Sequence, residues 1–525
     1  MQSGKNTHGY GKAVIARVFT RLHGVSSTAP FFLTVVAVLM TAAFCACSSS
    51  GQKTPVIHDP PPVVCEAPTE PVDTSAPDHI VGDGTAGSCT AGALREAAAQ
   101  GGIIVFDCGP EPVVIPVAET IVFTAEAVVD GGGLVTLDGG GAARIFLLDA
   151  NYNENTPVLT VQRLAFRGGA APRTGDDTAD GGGAIYRDGG SLVAIDCDFI
   201  DNHAPATGQD LAGGAIYAFG GGSTTLVGCR FEGNSASDGG AVGSLNGDLI
   251  VVNSVFTGNA AIGTGGNPGA GGCGGAIYQD GADERTAFCG VTIRGNTAGA
   301  IGGGVFRVSN DDTGVFTMDR TTVDANTVTA TGGGNAGGLY LQGLDLHVVD
   351  STISRNEAHY NGGLWIHTCA VRMTSATIAG NRAVGSNGGG LWLSGNPAGL
   401  LLNCTLADNH ADADGQGAGA VFGGDTHLVL QNTLVSGNTG WWGSGCSETL
   451  GDAGGNLQFI AEAPCTAQVT IADPLLGPLG DHGGPVETML PSAQGPALGA
   501  GTGCPATDAT GRTRPEPCTS GAAEP

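Results

Sequence analysis

Residues 182–202 read GGAIYRDGGSLVAIDCDFIDN, and variants of this stretch recur along the chain. Two motifs mark each copy. The first is a run of small residues, an aliphatic residue and an aromatic residue; the second is an apolar residue, two variable residues and an asparagine. The first motif ends at Tyr186, Tyr217, Tyr278, Phe306, Tyr340, Trp365, Trp392 and Phe422, with Gly243 in place of the aromatic residue once. The second ends at Asn202, Asn234, Asn259, Asn296, Asn326, Asn356, Asn381, Asn409 and Asn438.

Consecutive asparagines lie 25 to 37 residues apart. A period of this size indicates supersecondary units that bury their apolar faces by stacking on each other. Segments such as residues 249–252, Leu-Ile-Val-Val, are short, β-branched and bounded by Gly, Asn or Asp, which is typical of strands. The 92 glycines and 41% hydrophobic residues suit many tight turns around one continuous core. The sequence therefore predicts an all-β, right-handed, single-stranded parallel β-helix.

The repeated residues have structural roles in this interpretation. The asparagine suits a turn and can bond from rung to rung, and the glycines permit the corner that opens the next strand. A column of small residues precedes each apolar motif position by two residues and is expected to point inward. The distance from each asparagine to the next glycine cluster varies, so the insertions share one edge, where binding would be sought first.

The N-terminus predicts export. Basic residues up to Arg21 precede an apolar run from Phe31 to Phe44, as in a secretory signal. Ala46 before Cys47 resembles a bacterial lipoprotein signal, which implies lipidation at Cys47; an uncleaved anchor and plain secretion are the alternatives. The expected location is the outer membrane or cell surface, with the membrane as a partner through the lipid.

Five segments follow from these patterns. They are a lipoprotein signal peptide (1–46), a Pro/Ser-rich tether (47–80), an N-terminal cap with the first rungs (81–150), the β-helix repeats (151–440) and a C-terminal cap (441–525). Within the N-terminal cap, Thr90 to Gln100 predicts an amphipathic helix that covers the open end of the strands.

The cysteines agree with an oxidising compartment. Pairs close in sequence predict four disulfides: Cys89–Cys108, Cys273–Cys289, Cys446–Cys465 and Cys504–Cys518. Cys65 is expected to be unpaired in the tether. Cys197, Cys229 and Cys404 belong to the small-residue column and are expected to be packed thiols.

The alternating Gly-Gly-Ala-Ile and Phe-x-x-Asn motifs resemble those of the polymorphic outer membrane proteins, which are bacterial surface adhesins. The tail, with Asp473-Pro474-Leu475 and Gly483-Gly484-Pro485, resembles the choice-of-anchor Q region of surface β-helix proteins. These resemblances imply a pectate-lyase-like solenoid displayed at a cell surface. A shared fold does not imply a shared reaction.

The charge and composition limit the classes of partner and ligand that the protein is expected to have. The net charge of −28 disfavours nucleic acid as a partner. Acidic residues occur in variable turns, where solvated side chains are usual. No cofactor is expected, and calcium in an acidic turn is the open alternative. The sequence identifies no catalytic residue and no metal ligand set. The weaker candidates for these roles are acidic turn residues and a histidine group: Asp176, Asp177, Asp311, Asp312, Asp408, Asp412 and Asp414, and His347, His359 and His367.

The aromatic column offers the sharper hypothesis. If it points outward, Tyr340, Trp365, Trp392 and Phe422 are candidates for stacking on a glycan or a surface protein ligand; if inward, they belong to the core. Strand alternation leaves the direction open. The preferred function is a surface-displayed, non-catalytic binding or adhesion lipoprotein. A lyase or glycoside hydrolase acting on acidic polysaccharide is the alternative, and a structural envelope protein is the third.

Overall fold

The computed structural model describes residues 61–525 except 177, 386, 413–416, 425–426, 442–444, 461 and 463. These residues form a β-solenoid of about twelve turns, built from parallel strands and nearly devoid of helix. The predicted fold class is confirmed. The signal peptide, Cys47 and the start of the tether lie outside the described residues, as do Asp177 and Asp414.

Each regular turn contributes strands to four parallel stacks. Stack I contains His79–Gly82, Gly102–Asp107, Ala127–Asp138, Val158–Arg167, Ser191–Ile195, Ser223–Val227, Asp248–Val252, Arg285–Cys289, Gly314–Asp319, Leu344–Val349, Ala370–Thr374, Ala398–Leu402, His427–Gln431 and Gly451–Asp452. Stack II contains Val113–Pro116, the second halves of the two longest strands, Asp198–Ile200, Arg230–Glu232, Val255–Thr257, Thr292–Arg294, Thr322–Asp324, Thr352–Ser354, Thr377–Ala379, Thr405–Ala407, Leu434–Ser436, Leu457–Phe459 and Thr470–Ile471.

Stack III lies across the core from these. It contains Ile121–Phe123, Phe146–Asp149, Ile185–Asp188, Ile216–Phe219, Val242–Leu245, Ile277–Gly281, Val305–Ser309, Leu339–Gln342, Leu364–His367, Leu391–Ser394 and Val421–Gly423. Stack IV follows each asparagine and contains Ser235–Ala236, Ala260–Ala261, Thr297–Ala298, Thr327–Val328, Glu357–Ala358, Arg382–Ala383 and His410–Ala411. A two-stranded pair, Asn387–Gly388 and Gly417–Ala418, completes the sheets.

Matching residues of successive turns lie directly above one another. Ile216 pairs with Ile185 on one side and with Val242 on the other, and all three are fully buried. The phenylalanines of the second motif also stack, with ring centroids of Phe231 and Phe256 4.5 Å apart and nearly parallel. Burying such a side chain stabilises the fold by about 1.5–3 kcal/mol. One apolar core therefore runs from Val81 to Cys465.

The nine repeated asparagines form the predicted ladder. The side-chain Nδ2 of each asparagine except the last donates to the Oδ1 of the asparagine in the next turn at 2.9–3.0 Å. The same Oδ1 also accepts the backbone N–H of the donating asparagine, as between Asn234 and Asn259. Nδ2 also donates to a strand carbonyl, as from Asn326 to Ile293. All nine side chains are fully buried. The ladder therefore satisfies polar groups at a corner that water does not reach.

The N-terminal helix spans Ala91–Ala98. The Thr90 hydroxyl accepts the backbone N–H of Ala93, which caps the first turn. Leu94, Ala97 and Ala98 are buried against the first strands. A 3-10 turn, Ala86–Ser88, precedes it. This helix lies within the stretch, Thr90 to Gln100, for which the sequence predicts one.

The described part of the proposed tether lies on the solenoid. Asn253 occupies the left-handed corner between stacks I and II, and its Oδ1 accepts the N–H groups of Val64 and Cys65 at 2.9 Å. Further along, Val72 and the Gln162 amide exchange two hydrogen bonds. Residues 61–78 are thus a strap fixed to the body, which differs from the prediction of a spacer over 47–80.

The C-terminal segment returns over the same face. Thr352 donates to the Glu487 carbonyl, Thr377 bonds Thr488, and Thr405 accepts the N–H of Ala522. These threonines recur at one outward position of stack II. The cap predicted for residues 441–525 therefore extends along the side of the solenoid as well as beyond its last turn.

Three of the four predicted disulfides are present: Cys89–Cys108, Cys446–Cys465 and Cys504–Cys518. The prediction of Cys273–Cys289 is wrong, and so is that of an unpaired Cys65. Cys289 faces outward beneath the strap and bonds Cys65, whereas Cys273 is a buried free thiol under an edge loop. Cys197, Cys229 and Cys404 are buried free thiols, as expected.

Candidate functional site

The aromatic column points away from the core. Within one strand of stack III, Ile185 belongs to the main core, whereas the neighbouring Tyr186 belongs to a separate apolar cluster with Tyr217, Tyr278 and Phe306. Alternation across the strand places the two sets on opposite faces. The direction that the sequence left open is therefore outward.

Loops cover the first half of the column. They are residues 178–181, 204–212, 262–272 and 329–335, here called the edge loops, and the last three fill the variable interval after Asn202, Asn259 and Asn326. The Tyr217 hydroxyl donates to the Asp210 carbonyl at 2.8 Å, and Tyr217 is fully buried. A Cβ on Gly181 would lie 2.2 Å from the Tyr217 ring, so only glycine lets this loop approach so closely. The insertions share one edge, as predicted.

The missing aromatic residue has a packing reason. A Cβ on Gly243 would lie 2.4 Å from the Cβ of Ala212. Ala212 comes from an edge loop and occupies the place that a ring would take. The loop thus fills the gap in the column at Gly243.

The last three rings of the column are more exposed than the rest. Tyr340 is buried, but Trp365, Trp392 and Phe422 are partly exposed. The connections that follow Asn356 and Asn381 are short. We call Trp365, Trp392 and Phe422, with their polar neighbours, the open end of the aromatic column.

The rings at the open end pack on one another. Trp365 and Trp392 have centroids 4.3 Å apart at an interplanar angle of 15°, and Tyr340 meets Trp365 edge-on. The Trp365 indole N–H donates to Ser394 Oγ at 2.7 Å, and His367 Nδ1 lies 2.9 Å from the same oxygen. Because the two indole faces pack against each other, a ligand at the open end of the aromatic column would contact the ring edges and the neighbouring polar groups.

A cluster of three acids joins the edge loops to stack III, and one of them, Asp238, is buried. The Tyr278 hydroxyl donates to Asp210 Oδ1 at 2.6 Å and lies 3.2 Å from Asp280 Oδ2, while Asp238 Oδ1 accepts the Cys273 N–H at 2.7 Å. Burial, with Asp210 nearby, raises the pKa of Asp238 to about 8. Burial also raises the pKa of Asp280. The cluster fastens the loops to stack III.

A polar groove lies at the corner between stacks III and I. Its volume is about 540 Å³, within the range of ligand sites. It is lined by Asn155, Ser191, Gly222, Ser223, Asn246, Gly247, Asp248, Asp283 and Glu284. These residues come from turns of successive rungs, and the sequence motifs gave no signal for them.

Two arginines lie behind this groove, inside the solenoid. Arg187 and Arg307 are fully buried, and burial lowers the pKa of Arg187 to about 10. Arg187 donates to the carbonyls of Gly190 and Gly220. Arg307 donates to the Glu284 carbonyl at 2.7 Å and faces the Glu284 carboxylate at 3.8 Å. Their charges are thus directed at the turns that form the groove.

The acidic turn residues and the histidines of the sequence analysis are dispersed over the solenoid. Asp311 accepts the N–H and hydroxyl of Thr313, and Asp176 those of Thr178, which are turn-stabilising roles. Asp412 pairs with Arg382 and His410. His347 pairs with Asp345, and His359 packs on Tyr360. Within the described ranges, the one group of three close potential metal ligands is Cys65, Cys289 and Asp319, whose thiols form a disulfide.

No protein-family model, curated protein or solved structure matches this chain. In the part of the chain that the structure describes, no helix is long and apolar enough to cross a membrane.

Proposed function

We propose that this protein is a surface-displayed, non-catalytic binding lipoprotein whose ligand, a glycan, docks at the open end of the aromatic column. One observation carries this proposal: the column faces outward along its whole length, yet the edge loops cover its first half and leave Trp365, Trp392 and Phe422 partly exposed. Exposed aromatic residues beside hydrogen-bonding groups are typical of binding surfaces.

The polar groups at the open end complete the surface. Ser394 accepts the Trp365 N–H, and His367 lies beside the same hydroxyl. Sugar hydroxyls both donate and accept hydrogen bonds, so they suit a serine, a histidine and the apolar edge of an indole together. The rigid solenoid holds these groups in register along its axis.

Binding by the purified body to a glycan array tests the proposal. We expect Trp365→Ala and Trp392→Ala each to lower binding at least tenfold. Trp441→Ala is the matched control, because Trp441 is 63% exposed and lies outside the column. Binding that survives both column substitutions would exclude this surface.

A polysaccharide lyase or glycoside hydrolase is the second candidate, because Asp248, Asp283 and Glu284 line one groove. Paired carboxylates are the usual catalytic groups of glycosidases. Release of unsaturated or reducing sugar products from acidic polysaccharide, with calcium present, would favour this candidate over the binding protein. If the protein neither cleaves nor binds polysaccharide, the structural envelope protein would be favoured.

Display rests on the lipid proposed at Cys47. Incorporation of labelled palmitate into the full chain, and its loss in Cys47→Ser, tests that part separately from ligand binding. Label that persists in Cys47→Ser would contradict lipidation at this residue.

A further inference from the structure

The middle of the strap is held to the solenoid through its two ends. Among the described residues, 66–71 donate no hydrogen bond to the solenoid and accept none from it. Glu70 is exposed, and burial together with the nearby Glu70 carboxylate raises the pKa of Asp196 on the underlying corner. This pair of like charges opposes docking of the strap. The strap therefore depends on its anchors at Cys65 and Val72.

The two anchors differ in kind. Val72 is held by two hydrogen bonds with a glutamine amide. At the other end, Asn253 makes three hydrogen bonds with Val64 and Cys65, and the disulfide adds a covalent bond. Nine of residues 61–71 are partly or fully exposed, so little apolar surface holds this end. Without the covalent bond, the anchor rests on hydrogen bonds that water can replace at small net cost.

Cys289 is the accessible half of this disulfide. It is partly exposed on the outer side of stack I, whereas Cys65 is 4% exposed. Arg320 Nη2 lies 3.4 Å from Cys289 Sγ and 2.6 Å from Asp319 Oδ2. The sulfur thus borders an ion pair whose charges offset each other, and the guanidinium can stabilise a thiolate at Cys289. A thiolate from solvent therefore attacks at Cys289 rather than at Cys65.

The bond also lies outside the apolar core. Neither Cys65 nor Cys289 belongs to the core cluster that runs from Val81 to Cys465. The disulfides Cys89–Cys108 and Cys446–Cys465, in contrast, are buried within that cluster. Opening the bond between Cys65 and Cys289 removes no side chain from the core, so the solenoid is expected to stay folded.

We propose that the disulfide Cys65–Cys289 is a redox-sensitive clamp, which a dithiol opens so that residues 61–71 leave the surface of the solenoid. One thiolate of the dithiol attacks Cys289 Sγ, the bond between the two sulfurs breaks, and Cys65 leaves as a thiolate that takes a proton from water. The second thiol of the dithiol then attacks the mixed disulfide and releases Cys289 as a thiol. The dithiol becomes a cyclic disulfide, and its two electrons reduce the two cysteines.

Opening the clamp lengthens the free chain in front of the solenoid. The point at which the chain is fixed moves from Cys65 to Val72, seven residues further along. Seven extended residues span at most about 25 Å. The consequence for display rests on the lipid proposed at Cys47: the reduced protein reaches further from its membrane. The opening of the clamp itself does not depend on the lipid.

Graded reduction of the purified full chain with dithiothreitol, followed by alkylation and peptide mass spectrometry, tests the clamp. We expect alkylation of Cys65 and Cys289 at a dithiothreitol concentration at least tenfold lower than for the disulfides Cys89–Cys108 and Cys446–Cys465. Reduction of all these bonds at one concentration would overturn the proposal. The buried free thiols should stay unmodified; they are Cys197, Cys229, Cys273, Cys369 and Cys404. Their alkylation together with Cys65 would show that the bond opens only when the solenoid unfolds, which would also overturn it.

Hydrogen exchange measures the release of the strap. The Val64 and Cys65 N–H groups bond Asn253 and should exchange at least tenfold faster after reduction. Cys65→Ser/Cys289→Ser should show the same fast exchange without a reductant. Cys504→Ser/Cys518→Ser is the matched control, because it removes another disulfide outside the core cluster, and it should keep the slow exchange. Slow exchange at Val64 in Cys65→Ser/Cys289→Ser would overturn the proposed release. Failure of the palmitate labelling would remove the effect on reach and leave the alkylation and exchange results unchanged.

Discussion

Cys65 is bonded to Cys289 across 224 residues of sequence, with their Cα atoms 6.0 Å apart. The disulfide fixes the strap to stack I beside Asn253 and Arg320. The Arg320 guanidinium donates to the Val64 carbonyl, and Asn253 bonds Val64 and Cys65. One covalent bond and several hydrogen bonds thus hold the start of the described chain against its middle.

Removing this disulfide should destabilise the protein. A cross-link that closes so long a loop contributes about 3–5 kcal/mol, chiefly by restricting the unfolded chain. We expect Cys65→Ser, Cys289→Ser and the double variant to lower the free energy of unfolding by similar amounts, since either single change already breaks the bond. Denaturant unfolding measures this. A double variant that loses about twice as much as each single would contradict the pairing.

Breaking the asparagine ladder should cost more than removing one polar side chain. Asn326→Ala removes the acceptor of the Asn296 N–H and the side-chain donor to the Ile293 carbonyl, and it leaves the Asn296 Nδ2 with only the Phe256 carbonyl. Each buried unsatisfied group costs about 1–3 kcal/mol, so we expect a loss of about 3–5 kcal/mol in the free energy of unfolding. Thermal and denaturant unfolding check this.

Asn153→Ala is the control for the ladder, because Asn153 is exposed. Its effect should stay within about 0.5 kcal/mol. A loss in Asn326→Ala no larger than that of the control would show that the ladder adds little to stability.

Residues that repeat made the fold predictable. Ile185, Tyr186 and Asn202 each recur once per turn, so their period and order predict stacked strands, a shared corner and loops on one edge. The direction of Tyr186 could not be settled because both faces of stack III are largely buried: Ile185 faces the core and Tyr186 faces the edge loops.

Residues that do not repeat escaped prediction. The strap and the C-terminal segment have no period, and the partner of Cys65 lies 224 residues away, so spacing favoured the wrong pair. The recurring threonine before the motif's apolar residue, as in Thr352-Ile353, was an available signal of a covered outer face. The polar groove gathers turn residues of different rungs, such as Ser191, Asp248 and Glu284, which share no motif.

The buried Asp238 should make stability depend on pH. Burial, together with the nearby carboxylate of Asp210, raises its pKa in the folded state from 3.8 to about 8, although the hydrogen bond from Cys273 acts in the opposite direction. A carboxyl whose folded pKa is raised favours folding most below its unfolded pKa, and this contribution is lost as the pH rises through about 8. The change is at most about 1.4 kcal/mol per pH unit in that window.

Asp238→Asn removes this titration while keeping an oxygen that accepts the Cys273 N–H. We expect its free energy of unfolding, relative to the unaltered chain, to increase between pH 5 and pH 9. Denaturant unfolding at several pH values measures the difference. Asp473→Asn, at an exposed position, should show no such trend. A difference that is flat with pH would mean that Asp238 does not titrate in this window.

The buried pair Arg514–Glu524 should hold the C-terminal segment in place. Arg514 Nη1 donates to Glu524 Oε1 at 2.9 Å, and Nη2 reaches Ser375 and two tail carbonyls. Arg514→Ala leaves Glu524 buried without its cation, which costs about 3–5 kcal/mol. The double variant Arg514→Met/Glu524→Gln should lose less stability than Arg514→Ala, because no charge remains uncompensated.

Arg512→Ala is the control, since Arg512 is exposed and its side chain bonds two carbonyls. Limited proteolysis of residues 473–525 and thermal unfolding measure the effect of each variant. We expect the largest loss of stability in Arg514→Ala, a smaller loss in the double variant and the smallest in Arg512→Ala. A double variant less stable than Arg514→Ala would contradict the role of the pair.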